Sequence, residues 1–153
     1  MADYYGKTRT NYFSVTDAQK FKEIMASCRA TDEIEIFDEK QNDGSINYMF
    51  CSEGIIQGLA DGENNGDTDN EDDYDDEDMD YNYDAFCESL QKILPDNDAI
   101  IITEVGSERK RYLIGSSTVI TSKDFKCIDI NREAVKLAAA MLNNPEYATK
   151  NYY

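Results

Sequence analysis

Asn11, Phe13 and Val15 alternate with Thr10, Tyr12 and Ser14 near the start of the chain, the period of a strand with one buried face, which predicts a first strand over Thr8 to Val15. Thr16-Asp17-Ala18-Gln19 has the form of a capping box, in which a hydroxyl and a side-chain amide each satisfy a free backbone N–H, so a helix is expected to open at Thr16. Phe21, Ile24, Met25 and Cys28 follow at i, i+3, i+4 and i+7 and give that helix one apolar stripe. Glu33 to Phe37 and Ser45 to Cys51 flank a polar stretch holding Asp43-Gly44, a pair suited to a tight turn, and so read as a hairpin whose second strand ends near Glu53. Beyond it the periodicity is lost and glycine becomes frequent. Ile55, Ile56 and Leu59 are expected to tuck the start of a loop against the core.

Periodicity returns at Asp84, read as the N-cap of a helix that carries Phe86, Leu90, Ile93 and Leu94 and stops at Pro95. Ala99 to Val105, Arg111 to Ile120 and Phe125 to Ile130 read as three further strands, the first apolar enough to be central in a sheet. Asn131 is the expected cap of a last helix with Val135, Ala138, Met141 and Leu142 on one side. The order β-α-β-β-α-β-β-β-α, with short connections between most strands, predicts an α+β fold. Its sheet is antiparallel or mixed, of about six strands, with three helices mainly on one face. The first six elements are those of a ferredoxin-like half.

At 153 residues the chain fits a single domain, 1–153, interrupted by one long insert at 61–84. No apolar run approaches the roughly 18 to 20 residues that span a bilayer. The opening residues MADYYGKTRT lack the apolar core of a signal peptide, so a cytoplasmic location is expected. Cys28, Cys51, Cys87 and Cys127 are widely spaced, form no CxxC pair and fall in predicted helix or strand, which suits buried free thiols. The chain has no histidine, which removes the usual general base of hydrolases and argues against a zinc site. Neither a cofactor nor a metal site is expected. No nucleophile, base and orienting group can be picked out together, so the protein is not expected to be an enzyme.

The charge changes the picture more than the composition does. Net charge is −17, yet residues 1–40 carry 6 basic and 8 acidic side chains and residues 92–153 carry 9 and 8. Residues 41–91 hold 16 acids and no base. The chain is therefore a nearly neutral domain with one acidic block, an arrangement that suggests a directed field. Within 61–84, 13 of 24 residues are Asp or Glu. The candidate partner-binding residues are Asp67, Asp69, Glu71, Asp72, Asp73, Tyr74, Asp75, Asp76, Glu77, Asp78, Asp80, Tyr81 and Tyr83.

Residues 67–80 hold 10 acids in 14 positions. As a helix they would carry about one charge per 2 Å of axis, and fully extended about one per 5 Å. Duplex DNA carries one per roughly 1.7 Å and a single strand one per roughly 3.4 Å. Lys and Arg residues that bind phosphates could bind such a block, with the tyrosines offering faces to guanidinium groups. The competing reading is a self-repelling, solvating loop of the kind that like-charge blocks usually form. A calcium loop fits less well. Asp67, Asp69 and Glu71 alternate as EF-hand ligands do, but the sixth position is Asp72 instead of Gly and the twelfth is Asp78 instead of Glu. Glu108, Arg109, Lys110 and Arg111 form the one local basic cluster, which could bind phosphate but suits a solvated turn, or salt bridges with the insert, better.

Small size, concentrated charge, absent catalytic residues and the run Glu71, Asp72, Asp73, Asp75, Asp76, Glu77, Asp78 and Asp80 together resemble the acidic DNA-mimic inhibitors of phages and mobile elements, of anti-restriction and anti-CRISPR type. The resemblance covers about a sixth of the chain and is one of strategy, not of fold or motif. It implies an inhibitor that occupies the basic channel of a nucleic-acid-binding defence protein or nuclease, with no direct contact to nucleic acid or membrane. The alternative is a non-catalytic interaction module with a passive acidic loop.

Overall fold

The computed structural model describes residues 4–60, 80–108 and 112–149. In chain order the elements are β1 (Tyr4–Thr10), α1 (Ala18–Ser27), β2 (Cys28–Ala30), β3 (Ile34–Lys40), β4 (Ile46–Ser52), β5 (Ile56–Ala60), β6 (Tyr81–Asn82), α2 (Tyr83–Gln91), β7 (Ile100–Glu108), β8 (Tyr112–Ile120), β9 (Phe125–Asp129) and α3 (Ile130–Met141). Six strands form one antiparallel sheet in the order β3-β4-β1-β7-β8-β9, and β2, β5 and β6 form a second, small antiparallel sheet. The fold is α+β. The connection through α1 from β1 to β3 skips β4, and the connection through α2 from β4 to β7 skips β1. Two split β-α-β units therefore interleave as in a ferredoxin-like half, and the β8–β9 hairpin extends it.

β1 lies earlier than the hydrophobic alternation predicts, over Tyr4–Thr10 in place of Thr8 to Val15. Its inward positions are Gly6, Thr8 and Thr10, so its buried face leaves no apolar trace in the sequence. The expected residues Phe13 and Val15 do turn inward, but the backbone has left the β7 ladder by then. Asn11 ends that ladder with its side chain: Ile101 N–H donates to Asn11 Oδ1 at 2.8 Å, and Asn11 Nδ2 donates to Ala99 O at 3.0 Å. Phe13 then exchanges two backbone bonds of 2.8 Å with Tyr48 as an isolated bridge.

Each helix begins at a neighbour of its expected cap. Lys20 N–H donates to Asp17, Ala85 N–H to Asn82 and Arg132 N–H to Asp129, so these three residues are the caps in place of Thr16, Asp84 and Asn131. Thr16 is engaged elsewhere, its N–H and hydroxyl both donating to Ile93 O at the end of α2. Asp84 instead lies in the first turn of α2, where a carboxylate favours the positive end of the helix dipole. Cys28, expected on the helix stripe, opens β2.

α1 and α2 cover one face of the large sheet. Phe13, Phe21, Phe50 and Phe86 are fully buried between them, with edge-to-face contacts of 5.6 Å for Phe13–Phe21, 6.2 Å for Phe13–Phe50 and 6.1 Å for Phe50–Phe86. Burial of each such side chain stabilises by about 1.5–3 kcal/mol. Ile100, Ile120 and Leu90 complete this core. The buried threonines are satisfied: Thr8 Oγ1 donates to Gly54 O at 2.9 Å, and Thr10 Oγ1 accepts from Phe50 N–H at 3.1 Å. α3 lies on the opposite face, where Gly115 leaves room for the Ile130 side chain. Among the described residues no helix is long and apolar enough to cross a membrane.

Candidate functional site

The acidic insert springs from the small sheet. Thr31 N–H donates to Ile55 O at 2.9 Å and Ile55 N–H to Thr31 Oγ1 at 2.8 Å, which fixes the approach to β5. β5 then pairs on one side with β2, Cys28 opposite Leu59, and on the other with β6, Leu59 opposite Asn82 and Ala60 opposite Tyr81. Ile56 is buried and Leu59 packs against the core, so the strand is held by side chains as well as by its ladder. The stretch 54–60, expected as loop, is thus mostly strand. Its glycines blur the period in the sequence, and one of them is required by the backbone: Gly58 has φ +119° and passes so close to the main chain of Asn82 and Tyr83 that a Cβ would collide with it.

These contacts bound the insert more tightly than expected. It leaves the ladder at Ala60 and rejoins it at Tyr81, and the remaining positions to Asp84 belong to β6 and α2. Of the candidate partner-binding residues, Asp67, Asp69, Glu71, Asp72, Asp73, Tyr74, Asp75, Asp76, Glu77 and Asp78 lie outside the described residues, as do Arg109, Lys110 and Arg111 of the basic cluster. Asp80 is exposed and Tyr81 half-buried. Tyr83 is turned into the domain. Its ring packs 6.2 Å from Phe86, and its hydroxyl lies 2.8 Å from Thr118 Oγ1. Burial pushes its pKa up.

Beneath this root, between the two sheets, lies a cavity of about 250 Å³ lined by Ile56, Tyr83, Glu104, Ser116, Thr118 and Cys127 among others. The Glu104 carboxyl is half-buried there, and burial raises its pKa above the ordinary 4.5. It faces the Tyr4 hydroxyl, which is buried and makes no well-formed hydrogen bond with the described residues. The Tyr4 ring sits over the Gly6–Gly106 pair of the β1–β7 ladder, where two absent side chains leave a notch for it. Cys127 lies 3.4 Å from the Thr118 hydroxyl, which cannot serve as a general base near neutrality. The cavity thus holds the Glu104 carboxyl together with the Ser116 and Thr118 hydroxyls and the Cys127 thiol.

The thiols divide by position. Cys28 and Cys87 are buried, and burial pushes their pKa values up to about 11 and about 12. Cys51 is half-buried, and Cys127, expected inside, is exposed because β9 is an edge strand. Among the described residues no group of three Cys, Asp or Glu side chains is placed to hold a metal.

A larger groove, of about 660 Å³, lies on the other face of the sheet, over Arg9, Cys51, Thr103 and Val105. Lys7 at its rim pairs with Glu53 at 2.9 Å, but both are well exposed, and such a pair contributes little. Across its floor Arg9 and Glu35 each stand opposite Cys51 in the β1–β4 and β3–β4 ladders, so cationic and carboxylate side chains flank this thiol.

No family model, curated protein or solved structure matches the chain. Two features of the root left weak signals in the sequence. Gly58 reads only as another loop glycine, and Asn82 sits two residues before the expected cap in a run where Asp84 is equally suited by type.

Proposed function

We propose that the protein is an acidic inhibitor or regulator whose insert mimics nucleic acid and occupies the basic channel of a nucleic-acid-binding defence protein or nuclease, excluding its substrate. The observation that carries this reading is the charge distribution. Residues 41–91 hold 16 acids and no base, while the segments before and after are nearly neutral. Support also comes from the root, where antiparallel pairing of Ala60 with Tyr81 brings both ends of the block to one place on the domain. A channel lined by Lys and Arg would exchange counterions and phosphate contacts for carboxylate contacts, so affinity would fall steeply with salt. No catalytic role is part of this proposal.

The test is affinity capture from the native host at low salt, followed by competition between the protein and duplex DNA for the captured partner. The full chain is expected to displace DNA and to lose affinity as salt rises. A variant with 61–80 replaced by a two-residue turn should do neither. Undiminished binding by that variant would overturn the proposal in favour of an interaction module that binds through its folded surface.

A further inference from the structure

We infer that the outer face of the large sheet, together with α3, is a self-association surface that pairs two copies of this chain. α3 is a 12-residue helix that buries no side chain fully. An isolated helix of that length is marginal in water, and most helices are held by packing of an apolar face. α3 has such a face. Ile130, Ala134, Leu137 and Met141 recur at intervals of four, three and four, the spacing of one seam of a coiled coil, and all four are exposed.

The seam does not stand alone. Ile130 and Glu133 line a groove of about 300 Å³ with Thr103, Val105 and Gly115 of the sheet, so the helix forms a wall above an open sheet floor. Val105, Leu113 and Ile128 on that floor are each more than half exposed, as are Ile130, Leu137 and Met141. Six such side chains present several hundred Å² of apolar surface. That reaches the upper range of patches on ordinary monomers, about 300–600 Å², and approaches the roughly 800 Å² that each partner gives to a standard interface.

Charge selects a second copy as the occupant. The insert's root, β5 and β6, lies on the side of the large sheet covered by α1 and α2: Ile56 belongs to that core and Tyr83 bonds Thr118 there. The outer face is the one through which two copies can meet with both sheets between the roots of their inserts, which keeps the points where the acidic blocks leave the two domains apart and lessens the charge repulsion that opposes self-association. An apolar seam is also self-complementary, as a two-fold interface requires.

The test is sedimentation equilibrium of the full chain over a concentration series at low and high salt, with Leu137→Glu and Met141→Glu. These side chains are 62% and 79% exposed, so the substitutions leave the folded monomer intact, which circular dichroism checks. The wild type is expected to form a dimer that salt does not weaken, and each variant to weaken it at least about tenfold. Wild type that stays monomeric at high micromolar concentration, or variants that dimerise as it does, would overturn the inference. The insert-shortened variant should still dimerise, which keeps this result separate from that of partner capture.

Discussion

Ala60 and Tyr81 are partners across an antiparallel ladder although the 20 residues of 61–80 lie between them in the chain. The β5–β6 ladder closes the domain at the base of the insert. Replacing 61–80 with Asn-Gly would make β5 and β6 an ordinary two-residue hairpin. Loop-closure entropy alone predicts a gain of about 2 kcal/mol for that shortening. Removal of 12 mutually repelling acids adds to the gain at low salt, so urea denaturation should show a higher midpoint whose excess shrinks as salt is added. A lower midpoint would mean that residues of the insert help hold the domain together.

Gly58 meets two demands at once, a left-handed φ of +119° and close approach of the Asn82 carbonyl. Gly44 in the β3–β4 turn meets only the first, with φ +90° and open space where a Cβ would stand. Gly44→Ala should therefore cost about 1 kcal/mol in conformational strain, and Gly58→Ala about 2–3 kcal/mol. The Gly58 variant should also loosen the β5–β6 ladder, seen as faster exchange of the Tyr81 and Asn82 amides. Equal costs for the two would remove the claim that backbone contact at Gly58 shapes the insert's root.

Where side chains are apolar, the sequence could be read directly. Phe21, Ile24 and Met25, or Phe86 and Leu90, announce their helices by period, and the α+β class follows from their alternation with apolar strands. β1 could not be found this way because its inward residues are Gly6, Thr8 and Thr10, which the sheet accepts for their size and hydrogen bonds. β2 and β6, at three and two residues, are too short to have a period, and exist because β5 lies between them. The caps shifted for a related reason. Asp17, Asn82 and Asp129 each stand within two residues of another good capping type, and tertiary contacts such as Thr16 with Ile93 decide between them. The charge of the candidate site was fully legible, but the pairing that joins its two ends was not, since it arises from strands that sequence alone does not reveal.

Glu104 and Tyr4 face each other on the covered side of the β1–β7 ladder, and the arrangement predicts a pH signature. Burial raises the folded-state pKa of Glu104 above its ordinary 4.5, so the unfolded chain gives up this proton more readily than the folded one. Stability from the protonated carboxyl is fully present below the ordinary value and is lost as pH rises through the raised folded one. At pH 7 the wild type lacks it. Glu104→Gln, neutral at every pH, should raise the urea midpoint at pH 7, and the difference should vanish as pH falls into the ordinary carboxylate range. Tyr4→Phe removes a buried hydroxyl that has no well-formed partner among the described residues, and should be neutral or mildly stabilising. Because the carboxyl and the hydroxyl share one environment, the double variant should depart from additivity. A Glu104→Gln effect that does not change with pH would show that the substitution acts through packing and not through the buried charge.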